Sequence, residues 1–160
     1  NFFQKLANAG AHIVIGHHPH VLQKVTWYKR TDNNKSLIIY SLGNFISAQV
    51  RLLPIIKGKK HWAYNLLTSK TAEGAIIQFD ISKMGNAIVI ENPRYIPFLN
   101  ICYYHKGFLT YKLLLIKNII SNKYPNIQTE YKNYSSVKNL AAFRNNIIKK
   151  TLMIPEAKNY

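Results

Sequence analysis

Three imidazoles fall within four residues in the stretch Gly16-His17-His18-Pro19-His20. Imidazole is the side chain most often used to hold a metal ion. In an extended segment residues two apart point the same way, so His18 and His20 can face one ion together. Pro19 stiffens the backbone between them, and Gly16 permits a sharp turn and close approach to a ligand. A His-x-His pair is not a complete site, because a metal needs further ligands from elsewhere. The same spacing equally describes an exposed loop that carries three histidines and binds nothing. A second stretch, Tyr40-Ser41-Leu42-Gly43-Asn44-Phe45, ends in a Gly-Asn turn. The Asn44 amide can donate or accept hydrogen bonds at a metal or a phosphate, although a purely structural turn explains it too. His61 and Trp62 lie in a basic stretch that reads first as a solvated loop. His105 beside Tyr103 and Tyr104 reads as a surface or interface residue. Cys102 has no partner signature and reads as a buried structural thiol.

These residues need elements to position them, and the apolar pattern supplies candidates. Phe2, Phe3, Leu6 and Ala7 fall at helical spacing, and Gly10 supplies a stop. His12-Ile-Val-Ile-Gly16 is a β-branched run entering a loop, as is Leu37-Ile-Ile-Tyr40. Helix, turn and strand over residues 1–16 is the rhythm of an α/β layered fold. In open α/β sheets ligands bind beyond the carboxyl ends of strands, which is where both polar stretches stand. Val25 to Tyr28 predicts a short strand. Ala75 to Ile81 and Ala87 to Glu91 predict a hairpin around Met84-Gly-Asn86, with a loop longer than two residues. Pro93 and Pro97 are expected to close this unit, and residues 47–72 form an irregular basic excursion. Beyond residue 100 the spacing of Leu109, Leu113, Ile116 and Ile120 predicts a helix ended by Pro125. Ser135 or Ser136 can cap a second helix with an apolar face of Val137, Leu140, Ala141, Phe143, Ile147 and Ile148. The expected organisation is one α/β (α+β) part over 1–100 and a helical extension over 101–160.

Composition narrows the function classes. The 160 residues are 48% hydrophobic, which suits a globular protein. No apolar run spans a bilayer; Phe108 to Ile120 is too short and carries Lys112 and Lys117. A single cysteine excludes an intrachain disulfide framework and any multi-cysteine zinc site. No glycine-rich phosphate loop, Walker motif, zinc finger or RNA-binding aromatic signature occurs. The net charge is +16, spread along the chain. Spread positive charge favours anionic partners such as phosphates, nucleic acid or anionic polymers. A Lys-, Asn-, Ile- and Tyr-rich composition carries the same charge with no partner at all. The chain begins at Asn1 with residues that already read as helix, and the expectation is a piece of a longer protein.

The two polar stretches together carry a resemblance. Residues Ala9 to Gln23, followed by Leu37 to Phe45, resemble the bacterial capsule-synthesis CapA family of poly-gamma-glutamate synthesis proteins. That family lies within the calcineurin-like metallophosphoesterase superfamily, and the resemblance covers residues 1 to roughly 100. It implies the C-terminal part of a four-layered α/β/β/α metallophosphoesterase-like sandwich with a centre of two divalent metal ions. By that resemblance His18 and His20 are metal-ligand positions, with His17 a further candidate. Asn44 is the catalytic candidate, as an orienting group, and Gly16, Pro19, Ser41 and Gly43 complete the two motifs. His12 stands where the family usually has Asp, and its place at the start of a strand reads as structural. The family's opening Gly-Asp segment, its Asn and Glu motif and its further Asp and His ligands are not in this chain. The acids Asp32, Glu73, Asp80, Glu91, Glu130 and Glu156 show no pattern suited to bridging two cations. The implied partners are an anionic polymer or phosphoester substrate, the amino-terminal half of the same domain, and capsule-synthesis membrane proteins. The implied location is the bacterial cell envelope, extracytoplasmic and membrane-associated. A non-catalytic binding or export scaffold for an anionic polymer is the alternative, and a nucleic-acid-binding module ranks well behind both.

Overall fold

The structure is a computed structural model that describes residues 1–46, 70–105, 108–124 and 134–158. His61, Trp62, Pro125 and nearly all of the expected basic excursion lie outside the described residues, as do the side chains of Cys102 and His105.

Helix α1 (Phe2–Asn8) starts at a reciprocal cap. The Asn1 side chain accepts from the Gln4 amide, and the Gln4 side chain accepts from the Asn1 amino group. Gly10, at φ +105°, turns the chain into strand β1 (Ile13–Ile15). Strands β2 (Val25–Lys29) and β3 (Lys35–Ile39) follow. The order is β1-β3-β2, with β1 parallel and β2 antiparallel to β3. The β2–β3 turn is pinned by Asp32, whose two oxygens accept from the buried Arg30 guanidinium at 3.0 and 2.6 Å. One face of this sheet packs Val14 and Ile38 against Ala7 and Phe3 of α1. The other face gives Val25, Leu37 and Ile39 to the main core.

The second sheet is an antiparallel meander of β4 (Glu73–Met84), β5 (Ala87–His105) and β6 (Phe108–Leu115). Three sequence expectations change here. Met84 pairs with Ala87, so the hairpin loop is two residues, Gly85-Asn86, and not longer. Gly85 adopts φ +62°, the left-handed conformation that primed hairpin turns require.

Secondly, β5 runs straight through both prolines. Pro93 lies at a bulge, where the register moves from Gln78↔Arg94 to Asp80↔Glu91 and β5 carries one extra residue. Pro97 pairs with Ala75, whose amide points away from β5 to Leu42. Its ring nitrogen therefore faces the opposite edge, just past the last β6 pair of Phe98 with Leu115. Proline costs no ladder bond in either place.

Thirdly, the helix expected over Leu109 to Ile120 is a strand for most of its length. Residues Phe108–Leu115 pair with β5 from His105 back to Phe98, and only Ile116–Ile120 forms helix, α2. Leu109, Leu113, Ile116 and Ile120 mimic a helical stripe, but once β5 continues it offers this run an open edge to pair with.

Helix α3 (Tyr134–Leu152) lays Val137, Leu140, Ala141, Ile148 and Leu152 into the main core with Tyr95, Leu99, Ile101, Leu114, Ile116 and Ile119. Phe143 does not join this face; it is 57% exposed, and Arg144 takes the buried position instead. The architecture is thus mixed α and β, with both sheets contributing to one core. Among the described residues no helix is long and apolar enough to cross a membrane.

Candidate functional site

Strands β1 and β3 are parallel neighbours, so their carboxyl ends emerge side by side. Gly16, the first residue past β1, donates its amide to the Ile39 carbonyl at 2.8 Å. A Cβ at position 16 would stand 2.5 Å from the Tyr40 carbonyl oxygen and 2.6 Å from the Phe3 ring. Only glycine fits there, and the histidine loop begins where the chain leaves this contact. On the other side the β2–β3 register, Val25↔Ile39, points onward to Leu22 paired with Leu42 and to His20 opposite Asn44.

Asn44 is the hub of the site. It is buried, and its Oδ1 lies 2.8 Å from His20 Nδ1. Its Nδ2 donates to the Thr71 carbonyl at 3.2 Å, and its own carbonyl accepts from Asn100 Nδ2 at 3.0 Å. A carbonyl can only accept, so Thr71 fixes which end of the amide is nitrogen. Asn44 Oδ1 must then accept from His20 Nδ1–H. In the neutral ring this puts the lone pair on Nε2, the tautomer a metal-ligating histidine holds when its other nitrogen is hydrogen-bonded. The turn that presents Asn44 depends on Gly43, which has φ +72°, where a Cβ would meet the Glu73 carbonyl at 2.5 Å. Gly43 also pairs with Gly74, and the Ala75 amide donates to the Leu42 carbonyl. The Ser41-to-Asn44 segment therefore sits on the edge of the second sheet and joins both sheets at the site. Ser41 is buried, and its hydroxyl accepts from the Gly43 amide at 3.4 Å.

The structure brings His18, His20 and Asn44 together. The His18 and His20 rings are 6.1 Å apart between centroids and both are exposed. The reason differs from the expected one. The loop is a turn, not an extended strand, and His20 has φ +58°. That left-handed residue swings the His20 ring towards Asn44. His17 and Pro19 are exposed on the same loop, and His12 lies at the other end of β1.

Three of the acids, Asp32, Asp80 and Glu73, are engaged elsewhere. Hydrogen bonds from Arg30 and Asn34 hold the Asp32 carboxyl well below the usual carboxylate range. Asp80 pairs with Arg94 at 3.1 Å. Glu73 is buried 3.5 Å from Arg144; burial pushes its carboxyl up, against the opposing charges of Arg144 and Lys70. Among the described residues no group of three or more His, Cys, Asp or Glu side chains converges. Two imidazoles, one with its tautomer held, fit part of the shell of a borderline divalent cation.

Sequence reasoning missed the residues that support the site: Thr71, Gly74 and Asn100. A signal existed for Asn100, a lone amide inside the apolar run Phe98-Leu-Asn-Ile101. A polar residue at the centre of a buried strand is a local rule broken, and such breaks cluster at functional sites.

Comparison with known proteins falls on these elements. The family model described as bacterial capsule synthesis protein PGA_cap matches residues 1–49, which include both loops. The capsule biosynthesis protein CapA of Bacillus anthracis is 34% identical over 84 residues, covering 52% of this chain and 15% of that protein. The PGA biosynthesis protein CapA of Bacillus subtilis (strain 168) is 34% identical over 80 residues, covering 50% of this chain and 15% of that protein. The matching stretch thus spans about one seventh of the length of these relatives. No solved structure matches the chain significantly. The family model falls on the two loops that Gly16 and Gly43 shape, and both relatives carry the same family name: over this stretch the chain is similar to the CapA proteins of bacterial capsule synthesis.

Proposed function

We propose that this chain carries one part of a metal-dependent phosphoesterase-type site, on a CapA-like protein of capsule or poly-gamma-glutamate biosynthesis. The supporting observation is the 2.8 Å contact that holds His20 by Nδ1 and turns Nε2 outward beside His18. His18 and His20 would hold the ions, with His17 a further candidate on the same loop. Two divalent cations bound there would supply Lewis acidity towards a phosphoryl oxygen and would lower the pKa of a bound water. Asn44 keeps the His20 ring in place, while Gly16 and Gly43 let both loops approach closely. The carboxylates that balance two cations come from residues outside this chain, within a four-layered α/β/β/α sandwich. The whole protein would work in the cell envelope, outside the cytoplasm and beside capsule-synthesis membrane proteins. Metal content of the full-length protein tests this. The double change His18→Ala and His20→Ala is expected to remove bound metal, and unchanged metal content overturns the proposal.

The charge of +16 favours a second reading, a non-catalytic scaffold that binds an anionic polymer. Salt-sensitive polyglutamate binding that survives both histidine changes would select it. Nucleic acid bound in preference to polyglutamate would favour the third class instead.

A further inference from the structure

We infer that Asn100, on β5 of the second sheet, is a positioning residue for His20, acting through Asn44. The inference rests on the reading of His20 as a metal ligand. Asn100 is 56 residues away from Asn44 in the chain, yet its Nδ2 donates to the Asn44 carbonyl at 3.0 Å. Both side chains are buried, at 4% and 5% exposure. A buried amide without partners is costly, so an amide inside an apolar strand is kept where it bonds something. Here it bonds the backbone of the residue whose side chain sets the His20 tautomer.

Each neighbour removes one freedom from Asn44. The Thr71 carbonyl fixes the amide's orientation, and Asn100 fixes the position of the main-chain carbonyl. The Phe45 ring, next in the chain, packs edge-on against Phe98 at 5.6 Å, on the same strand as Asn100. The histidine loop itself is exposed and turns through a left-handed residue, and among the described residues the Asn44 side chain is the hydrogen-bond partner of the ring. The second sheet, which carries none of the loop motifs, therefore sets the geometry of a ligand on the first. Outer partners of metal-ligating histidines typically change metal affinity by about 10- to 100-fold when removed.

The test uses the full-length protein with Asn100→Leu, which keeps the volume and removes the donor. Asn100→Asp is the second variant, which replaces the donor by an oxygen at the same place. Three quantities are read: thermal unfolding, the 15N shifts of the His20 ring in metal-free protein, and Mn2+ affinity. The expected result is cooperative unfolding, loss of the Nδ1–H signature of His20, and Mn2+ binding weakened about tenfold. A variant that folds and keeps both the His20 signature and the wild-type Mn2+ affinity overturns the inference. If the signature changes but wild-type protein binds no Mn2+, the positioning role stands and the metal-ligand reading falls.

Discussion

The strand-end loops and the junction behind them divide the work of the site in opposite ways. Gly16 to His20 leaves its imidazoles in solvent, held by a few contacts at the ends of β1 and β3. The junction of β4, β5 and α3 buries its polar groups: Glu73, Asn100 and Arg144 are each under 5% exposed. Groups that meet a ligand must stay open, so they cannot be held by their own burial. The holding is done from behind, where hydrogen bonds and ion pairs are shielded from water and worth more. Changes at the junction should therefore be felt as stability, and changes in the loops as loss of ligand.

The largest stability effect belongs to Glu73→Ala. It strips the buried Arg144 of its carboxylate, and breaking a buried pair from one side costs about 3–5 kcal/mol. Urea unfolding measures it, and a loss below about 1 kcal/mol would break the contrast. Replacing both partners, Glu73→Leu with Arg144→Met, should recover most of the loss, because apolar groups need no counter-charge. The pair also sets a pH dependence. Burial raises the Glu73 carboxyl above its ordinary value. The folded state then holds a proton longer than the unfolded chain does. Its contribution is full below the unfolded carboxyl value, about 4.3, and is lost as pH rises through the folded value. Arg144→Met removes the cation that opposes this shift, so the loss with rising pH should steepen.

Next in size is Leu140→Ala on α3. Leu140 is 4% exposed in the main core, and emptying its place costs about 2–5 kcal/mol. Phe143→Ala, three residues on, should stay within about 0.5 kcal/mol because the ring is exposed. The pair separates the observed face of α3 from the face that the sequence suggests. Val137, Leu140, Ala141 and Ile148 were legible as a stripe. Phe143 and Arg144 were not, since hydrophobicity alone cannot say that an arginine goes inside to meet Glu73.

The same limit explains the other places where local pattern and structure part. Local signals were enough for α1, for the three strands of the first sheet, and for both loop motifs. They rest on apolar spacing, β-branched runs and glycines that act on near neighbours. The prolines of β5 misled because a proline's cost depends on which edge its nitrogen faces, which only the ladder decides. Strand β6 carries a helical stripe, and the edge that overrules it exists only because β5 continues past Pro97. Of the site, the two loops and their histidines were legible, whereas Thr71 and Asn100 reach Asn44 across 27 and 56 residues. No spacing rule joins residues so far apart.

Asn44→Ala should fall between the two regions in size, since Asn44 belongs to both. It removes a buried amide and leaves the Thr71 carbonyl without that donor, a loss of about 1–3 kcal/mol by chemical denaturation. It should also release the His20 ring, so the Nδ1–H signature disappears. By contrast His18→Ala with His20→Ala should change unfolding by less than about 0.5 kcal/mol, because exposed loop side chains carry little packing. A destabilisation as large as that of Asn44→Ala would mean the loop helps hold the fold, and the division drawn above would fail.

The smallest effect is expected at Asp32, the surface counterpart of Glu73. Its partner Arg30 is buried but Asp32 itself is half exposed, so water screens the pair. The hydrogen bonds from Arg30 and Asn34 depress its carboxyl, which reverses the sign seen at Glu73. Stability from a depressed acid is present above the unfolded carboxyl value, about 3.9, and is lost as pH falls through the folded value. Asp32→Asn should lower neutral-pH stability slightly, by the contribution the ionised carboxylate makes there, and flatten the fall below about pH 4. The two acids thus pull the pH profile in opposite directions, the exposed one on its acid side and the buried one as pH rises. A wild-type profile that Asp32→Asn does not alter below pH 4 would show that the turn holds Arg30 by packing alone.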